Sequence, residues 1–141
     1  MRVEVTQIVR APREKVYAAY TDFESMPNWS KGVTAVRVVR MGEGGVRLET
    51  ETLSGGVTRK STAELTLSPA SVESERETRF TRTRRSVTFE DVPEGTKVTA
   101  VVDVRVKGLW SVLLTPRGRE EAESSAREGL ASFANYVENL A

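Results

Sequence analysis

Arg59 and Arg76 are the residues whose type and position offer the most chemistry in a chain with few other reactive groups. The sequence contains neither histidine nor cysteine, which removes the commonest general base, the thiol nucleophile and the usual zinc ligands. Asp22 with Glu24, and Asp103 alone, are the acids considered for proton transfer, and Asp22 has the simpler role of ending a helix. Tyr17, Tyr20 and Tyr136 all have packing roles. An arginine, by contrast, needs no activation. Its planar fork of N–H donors can hold a carboxylate, phosphate or enolate oxygen by charge-assisted hydrogen bonds. The chemistry on offer is therefore binding and orientation, with no catalytic residue, metal or cofactor expected.

What the arginines do depends on which way their strands face. Period-two alternation groups Arg59 with Val57, Ser61, Ala63, Leu65 and Leu67, and Arg76 with Val72, Ser74, Thr78 and Phe80. Neighbouring strands align Val46, Leu48, Thr50 and Thr52 on one side, Arg85, Val87 and Phe89 on another, and Val98, Ala100, Val102, Val104 and Val106 on the last. Such an inward face is too polar for a simple core, because each unpartnered buried polar group costs about 1–3 kcal/mol. A cavity holding ligand or water resolves this, with apolar walls from Leu48, Leu65, Phe89, Val102 and Phe133 and orientation from Thr50, Arg59 and Arg76. A one-residue slip would exchange the faces. The arginines would then neutralise Glu49, Glu51 or Glu75 across strands, and from the sequence alone this outward reading weighs slightly more for the pair.

The elements that carry these side chains follow from pattern and punctuation. Arg2 to Arg10 reads as a first strand, and Arg13 to Thr21 as a short helix burying Val16 and Tyr20 with Phe23 beyond it. A turn or second short helix is expected to break near Pro27 and end at Trp29. Six strands then succeed one another, at Val33–Met41, Val46–Leu53, Val57–Leu67, Val72–Phe80, Arg84–Val92 and Thr96–Lys107, separated by Gly- and Pro-containing hairpin turns. The chain closes on a long amphipathic helix, Thr115 to Leu140, with a stripe of Ala122, Ala126, Leu130, Phe133, Val137 and Leu140. At 1.5 Å per residue it spans roughly 39 Å. Small residues make its first half shallow and Phe133 makes its second half bulky, so space for a ligand is expected under the first half.

Composition bounds the rest. The 141 residues suffice for one domain, residues 1–141, with a real core and no staples. Twenty-one basic against twenty acidic residues leave a net charge of +1, so no overall field selects nucleic acid, anionic membrane or acidic substrates. Arg79, Arg82, Arg84 and Arg85 around Phe80 imitate a nucleic-acid patch, but alternation splits them between faces and a turn, and no nucleic-acid partner is expected. Neither a signal sequence nor a membrane span is visible, and a cytoplasmic location is expected. Sixteen of the basic residues are arginine, hinting at a hot-living or GC-rich source. Met26, Trp29, Leu109 and Trp110, with Val112 to Leu114, form apolar stretches that could serve as a lid, as a transient membrane contact or as a dimer surface.

Ala11-Pro12-Arg13-Glu14-Lys15-Val16-Tyr17, followed by Asp22-Phe23-Glu24, Pro27 and Trp29, resembles the amino-terminal pattern of the polyketide cyclase/dehydrase and lipid-transport family of START-like (SRPBCC) proteins, including the coenzyme-Q-binding ones. Lys107-Gly108-Leu109-Trp110 is similar to that family's passage out of the last strand. The resemblance covers nearly the whole chain. It implies an α+β helix-grip fold, in which a curved antiparallel sheet of about seven strands wraps the last helix, and a cavity for an apolar small molecule such as a lipid, quinone or isoprenoid. A polyketide-type cyclase or dehydratase and a protein-interaction module are the alternatives, since the fold alone does not choose among them.

Overall fold

The computed structural model of the chain describes residues 1–108 and 116–140. Strand β1 (Arg2–Val9) is followed by helix α1 (Arg13–Thr21) and a 3-10 helix (Phe23–Asn28). Six strands come next: β2 (Val33–Arg40), β3 (Gly45–Ser54), β4 (Val57–Ser68), β5 (Ser71–Glu77), β6 (Thr81–Val92) and β7 (Gly95–Val106). Helix α2 (Pro116–Glu138) ends the fold. The strands form one antiparallel sheet in the order β1-β7-β6-β5-β4-β3-β2. Consecutive hairpins build six of its strands, while β1 returns to pair with β7, so α1 and the 3-10 helix carry the chain from one sheet edge to the other. The architecture is the α+β helix-grip expected from the sequence.

Hairpin chemistry sets most of the register. Gly55 and Gly56 turn β3 into β4 with φ of +58° and +78°, the paired positive values of the turn that best matches strand twist. The resulting ladder places Val46 opposite Leu65, Leu48 opposite Ala63 and Thr50 opposite Ser61. Across the sheet, Val87 pairs with Ala100 and Val5 with Ala100 on its other side. All these apolar side chains are buried, each fully buried valine being worth about 1.5–3 kcal/mol.

One turn differs from expectation. The sequence pattern continues the fifth strand to Phe80, but β5 stops at Glu77 and β6 begins at Thr81. Thr78 is the cause: its Oγ1 accepts from the amides of Phe80 and Thr81 at 3.3 and 3.0 Å, and its own N–H donates to the Thr81 carbonyl at 2.8 Å. Local side-chain bonds of this kind compete with the ladder. Phe80 consequently sits exposed in the turn with the Arg79 guanidinium 5.7 Å from its ring, away from the inward face where alternation placed it.

Helix α2 buries Leu130, Phe133, Ala134 and Val137, whereas Ala122 and Ala126 are only partly covered. The taper read from the stripe is therefore present as a difference in burial along the helix. The expected cap, Thr115, lies outside the described residues. Among the described residues no helix is long and apolar enough to cross a membrane.

A buried hydrogen bond pins α1 to the sheet. Thr96, fully buried in β7, donates from Oγ1 to the Ala11 carbonyl at 2.8 Å, just ahead of α1. Thr96→Val keeps the shape and leaves that carbonyl unpaired. A stability loss of about 1–3 kcal/mol is expected in urea unfolding; an unchanged midpoint would refute the role given to this bond.

Candidate ligand-binding site

The concave face of the sheet has two unlike ends. At the end nearer α1 an aromatic cluster fills the space between sheet and helix. Phe133 lies 4.9 Å from Trp29 and 5.4 Å from Tyr20, ring centre to ring centre, and Phe89 lies 5.5 Å from Tyr20 and 5.4 Å from Tyr17. All four contacts are edge-to-face, the arrangement favoured by the ring quadrupoles. Trp29 follows the 3-10 helix, and its carbonyl accepts from Ser132 Oγ at 2.6 Å, which ties that helix to α2. Burial raises the pKa of the Tyr17 hydroxyl, so this phenol stays neutral and is unsuited to act as a base.

The other end is polar. Thr50 and Ser61 share a hydrogen bond of 2.8 Å, with Thr52 opposite Arg59 one step further along the same ladder. On the next strands Ser74 is opposite Arg85 and Arg76 is opposite Thr83. Arg85 is in turn opposite Val102, which is opposite Val3 of β1. The register thus puts Arg59, Arg76 and Arg85 on the same face as the buried residues, against the outward reading that weighed slightly more for the first two. The glutamates proposed as their partners are engaged elsewhere: Glu49 with Arg37 at 3.3 Å, Glu51 with Lys60 at 3.7 Å, and Glu75 with Arg82 and Arg84. Alternation with the turn glycines had specified the face correctly; cross-strand charge matching was the weaker guide.

Of the residues singled out from the sequence, Leu48, Thr50, Leu65, Phe89, Leu130 and Phe133 are buried. Met26 and Trp29 pack half-buried against them, Val102 is half-buried at the polar end, and Arg59 and Arg76 are exposed at its rim. Leu109 and Trp110, and with them the lid, lie outside the described residues. Trp29, Phe89 and Phe133 meet in one cluster. Arg85, which the sequence places with Val87 and Phe89 at one end of an apolar face, is not among the ligand contacts expected from the sequence.

Two buried donors have no acceptor among the described residues, Trp29 Nε1–H and Arg85 Nε–H. Orphaned buried donors are rare in folded proteins and call for a physical reason. No group of three or more metal-ligating side chains occurs among the described residues.

A wide recess of about 930 Å³ is lined mostly by residues of the opposite, outer face, among them Glu64, Glu73, Glu75, Glu77, Arg84 and Asp103, and it also reaches Ser74 and Arg85. Its charges are largely matched: Arg47 pairs with Glu64, Arg82 with Glu75 and Lys107 with Glu77. This is a solvated ionic surface and offers an apolar molecule little. The four arginines around Phe80 are divided likewise, Arg82 and Arg84 facing Glu75 outside, Arg85 inside and Arg79 in the turn.

Residues 1–138 match the sequence profile described as polyketide cyclase / dehydrase and lipid transport. The chain belongs to this family. Its fold is shared with TTHA0849 from Thermus thermophilus (TM-score 0.82, 19% identity, 97% of each chain covered). A START superfamily protein from Mycobacterium smegmatis gives a TM-score of 0.81 at 17% identity over 99% of each chain. The Zhui aromatase/cyclase from Streptomyces sp. R1128 gives 0.75 at 17% identity, covering 98% of this chain and 91% of its own. No curated protein matches the sequence. At these identities the polyketide cyclase/dehydrase and lipid-transport family fixes the fold and leaves the ligand to be argued from the side chains.

Proposed function

We propose that this protein binds an apolar small molecule, of the lipid, quinone or isoprenoid kind, between the concave sheet face and α2. The observation that carries the reading is the division of that face. An apolar, aromatic half is continuous with a half holding three arginines and five hydroxyl residues. Apolar area would drive binding at about 25 cal/mol per Å² removed from water, and the polar end would set orientation. Family membership and the START-type neighbour support a hydrophobic ligand.

Cyclisation of a polyketide-like chain is the second reading, supported by the inward arginines and by the likeness to an aromatase/cyclase. It needs a proton acceptor facing the substrate. Among the described residues the one carboxylate on the strand positions that share the arginines' face is Asp91, at the far end of β6 from Arg85 and paired with Arg13 of α1 at 3.6 Å, so no free acid stands beside the arginines, which favours binding over turnover.

Native mass spectrometry of the purified protein with palmitate, geranylgeraniol and a short-chain ubiquinone tests the reading. A saturable 1:1 adduct with at least one of them is the expected result, and no adduct with any of the three would overturn it. Turnover of a compound that forms an adduct would shift the assignment to the cyclase.

A further inference from the structure

Arg76 and Arg85 stand on adjacent strands and on the same inward face, one ladder step out of line: Arg85 is opposite Ser74, and Arg76 is opposite Thr83. Diagonal positions of this kind lie about 7–8 Å apart at the backbone, within easy reach of long side chains. Although Arg76 is exposed overall, desolvation at the rim, and then the positive charge of Arg85, lower its pKa.

Neither arginine forms an ion pair among the described residues. The acids of the same strand, Glu75 and Glu77, face the other side, where Arg82, Arg84 and Lys107 hold them. Arg85 also keeps a buried Nε–H without an acceptor among the described residues. Two like charges drawn together, partly desolvated and left without an acid are unfavourable in the free protein. An oxyanion between them would reverse each of these costs, taking paired N–H bonds from planar donors suited to it. Ser74 and Thr83 stand beside the pair as further hydroxyl donors. From Arg85 to Phe89 the strand runs four residues, roughly 13 Å, with buried Val87 between them.

We infer that Arg76 and Arg85 form a headgroup site for an oxyanion, so that the physiological ligand is an anionic amphiphile, a carboxylate or phosphate monoester with an apolar tail, and not a neutral quinone or alcohol. This rests on the interior ligand proposed above. The tail would run from the polar end past half-buried Val102 towards the aromatic cluster, whose rings would have to move aside to admit it.

The test compares four probes with one tail, namely decanoate, decyl phosphate, decanol and methyl decanoate, by titration calorimetry below their aggregation limits. Decanoate or decyl phosphate is expected to bind at least about tenfold more tightly than the two neutral probes, hydrogen bonds to charged groups being worth that much or more. Whichever anion binds tighter identifies the headgroup. Arg85→Gln and, nearer the rim, Arg76→Gln are expected to remove the preference for the anion while leaving decanol binding in place. Arg85→Lys should retain part of it, and Arg84→Gln on the outer face should leave it unchanged. Circular dichroism and unfolding midpoints establish that each variant is folded, and the rim variant keeps the test open if Arg85→Gln is not. Equal binding of all four probes, or an anion preference that survives both glutamine substitutions, would overturn the headgroup site while the interior ligand stands. Binding of none of the four, with no adduct in the mass spectra, would remove both.

Discussion

Phe133→Ala is expected to lower the stability of the protein by about 3–5 kcal/mol, a large share of the roughly 5–15 kcal/mol typical of a domain. The ring is fully buried and touches Trp29 and Tyr20 edge-on. Its removal costs transfer free energy, aromatic contacts and a cavity that its neighbours cannot fill without moving. Collapse is difficult here because the walls come from different elements: Trp29 follows the 3-10 helix, Tyr20 is on α1 and Phe89 is on β6. Ser132 holds the Trp29 carbonyl from the same helix as Phe133, so the tryptophan stays fixed while the ring beside it is lost. Urea unfolding followed by far-UV circular dichroism should show the loss in the midpoint. Ala131→Gly, on the exposed side of α2, should cost only about 1 kcal/mol. A Phe133→Ala loss no larger than that of this surface variant would mean that the aromatic cluster does not hold α2 to the sheet.

Much of this arrangement is readable in the amino-acid order because hydrophobic period and turn chemistry agree. The stripe from Ala122 to Leu140 has one solution as a helix, and Val98 to Val106 has one as a strand. Glycine pairs and prolines mark the hairpins between strands, so parity could be carried from one strand to the next. A local bond outweighs the pattern at Thr78, which ends β5 three residues early. Charge matched along the sequence without register is a second weak guide. Proximity in sequence pairs Arg59 and Arg76 with nearby glutamates, yet a strand alternates its sides, and Glu75 and Arg76 cannot share one. Arg85 is a related case. It is one of four arginines clustered near Phe80; parity groups it with Val87 and Phe89, and the β5–β6 register places it inward opposite Ser74 while Arg82 and Arg84 face Glu75.

Gly95→Ala is the second substitution with a large expected effect, and its cause is geometric. Gly95 opens β7 with φ of +142°, a conformation that side chains of L-residues rarely adopt. A Cβ there would run into the Val9 carbonyl oxygen and stand 2.9 Å from the Ala11 amide nitrogen. Those backbone atoms cannot yield cheaply. The Ala11 N–H donates to the Val9 carbonyl at 2.9 Å, Val9 is paired with Thr96, and Thr96 Oγ1 holds the Ala11 carbonyl. Strain and overpacking together set an expected loss of roughly 3 kcal/mol or more. Because α1 begins at Arg13, any relief by movement of residues 9–11 would also draw Tyr17 and Tyr20 off Phe89. Gly55→Ala isolates the backbone contribution, since Gly55 also has positive φ but a Cβ there meets nothing within 4 Å. It should cost only about 1 kcal/mol. Thermal and urea unfolding of the two variants side by side would separate the effects. Equal losses would mean that the β1–α1 corner has room to move and that β7 does not clamp it, whereas the expected excess for Gly95 would establish the tight corner from which the first helix is aimed at the aromatic end of the site.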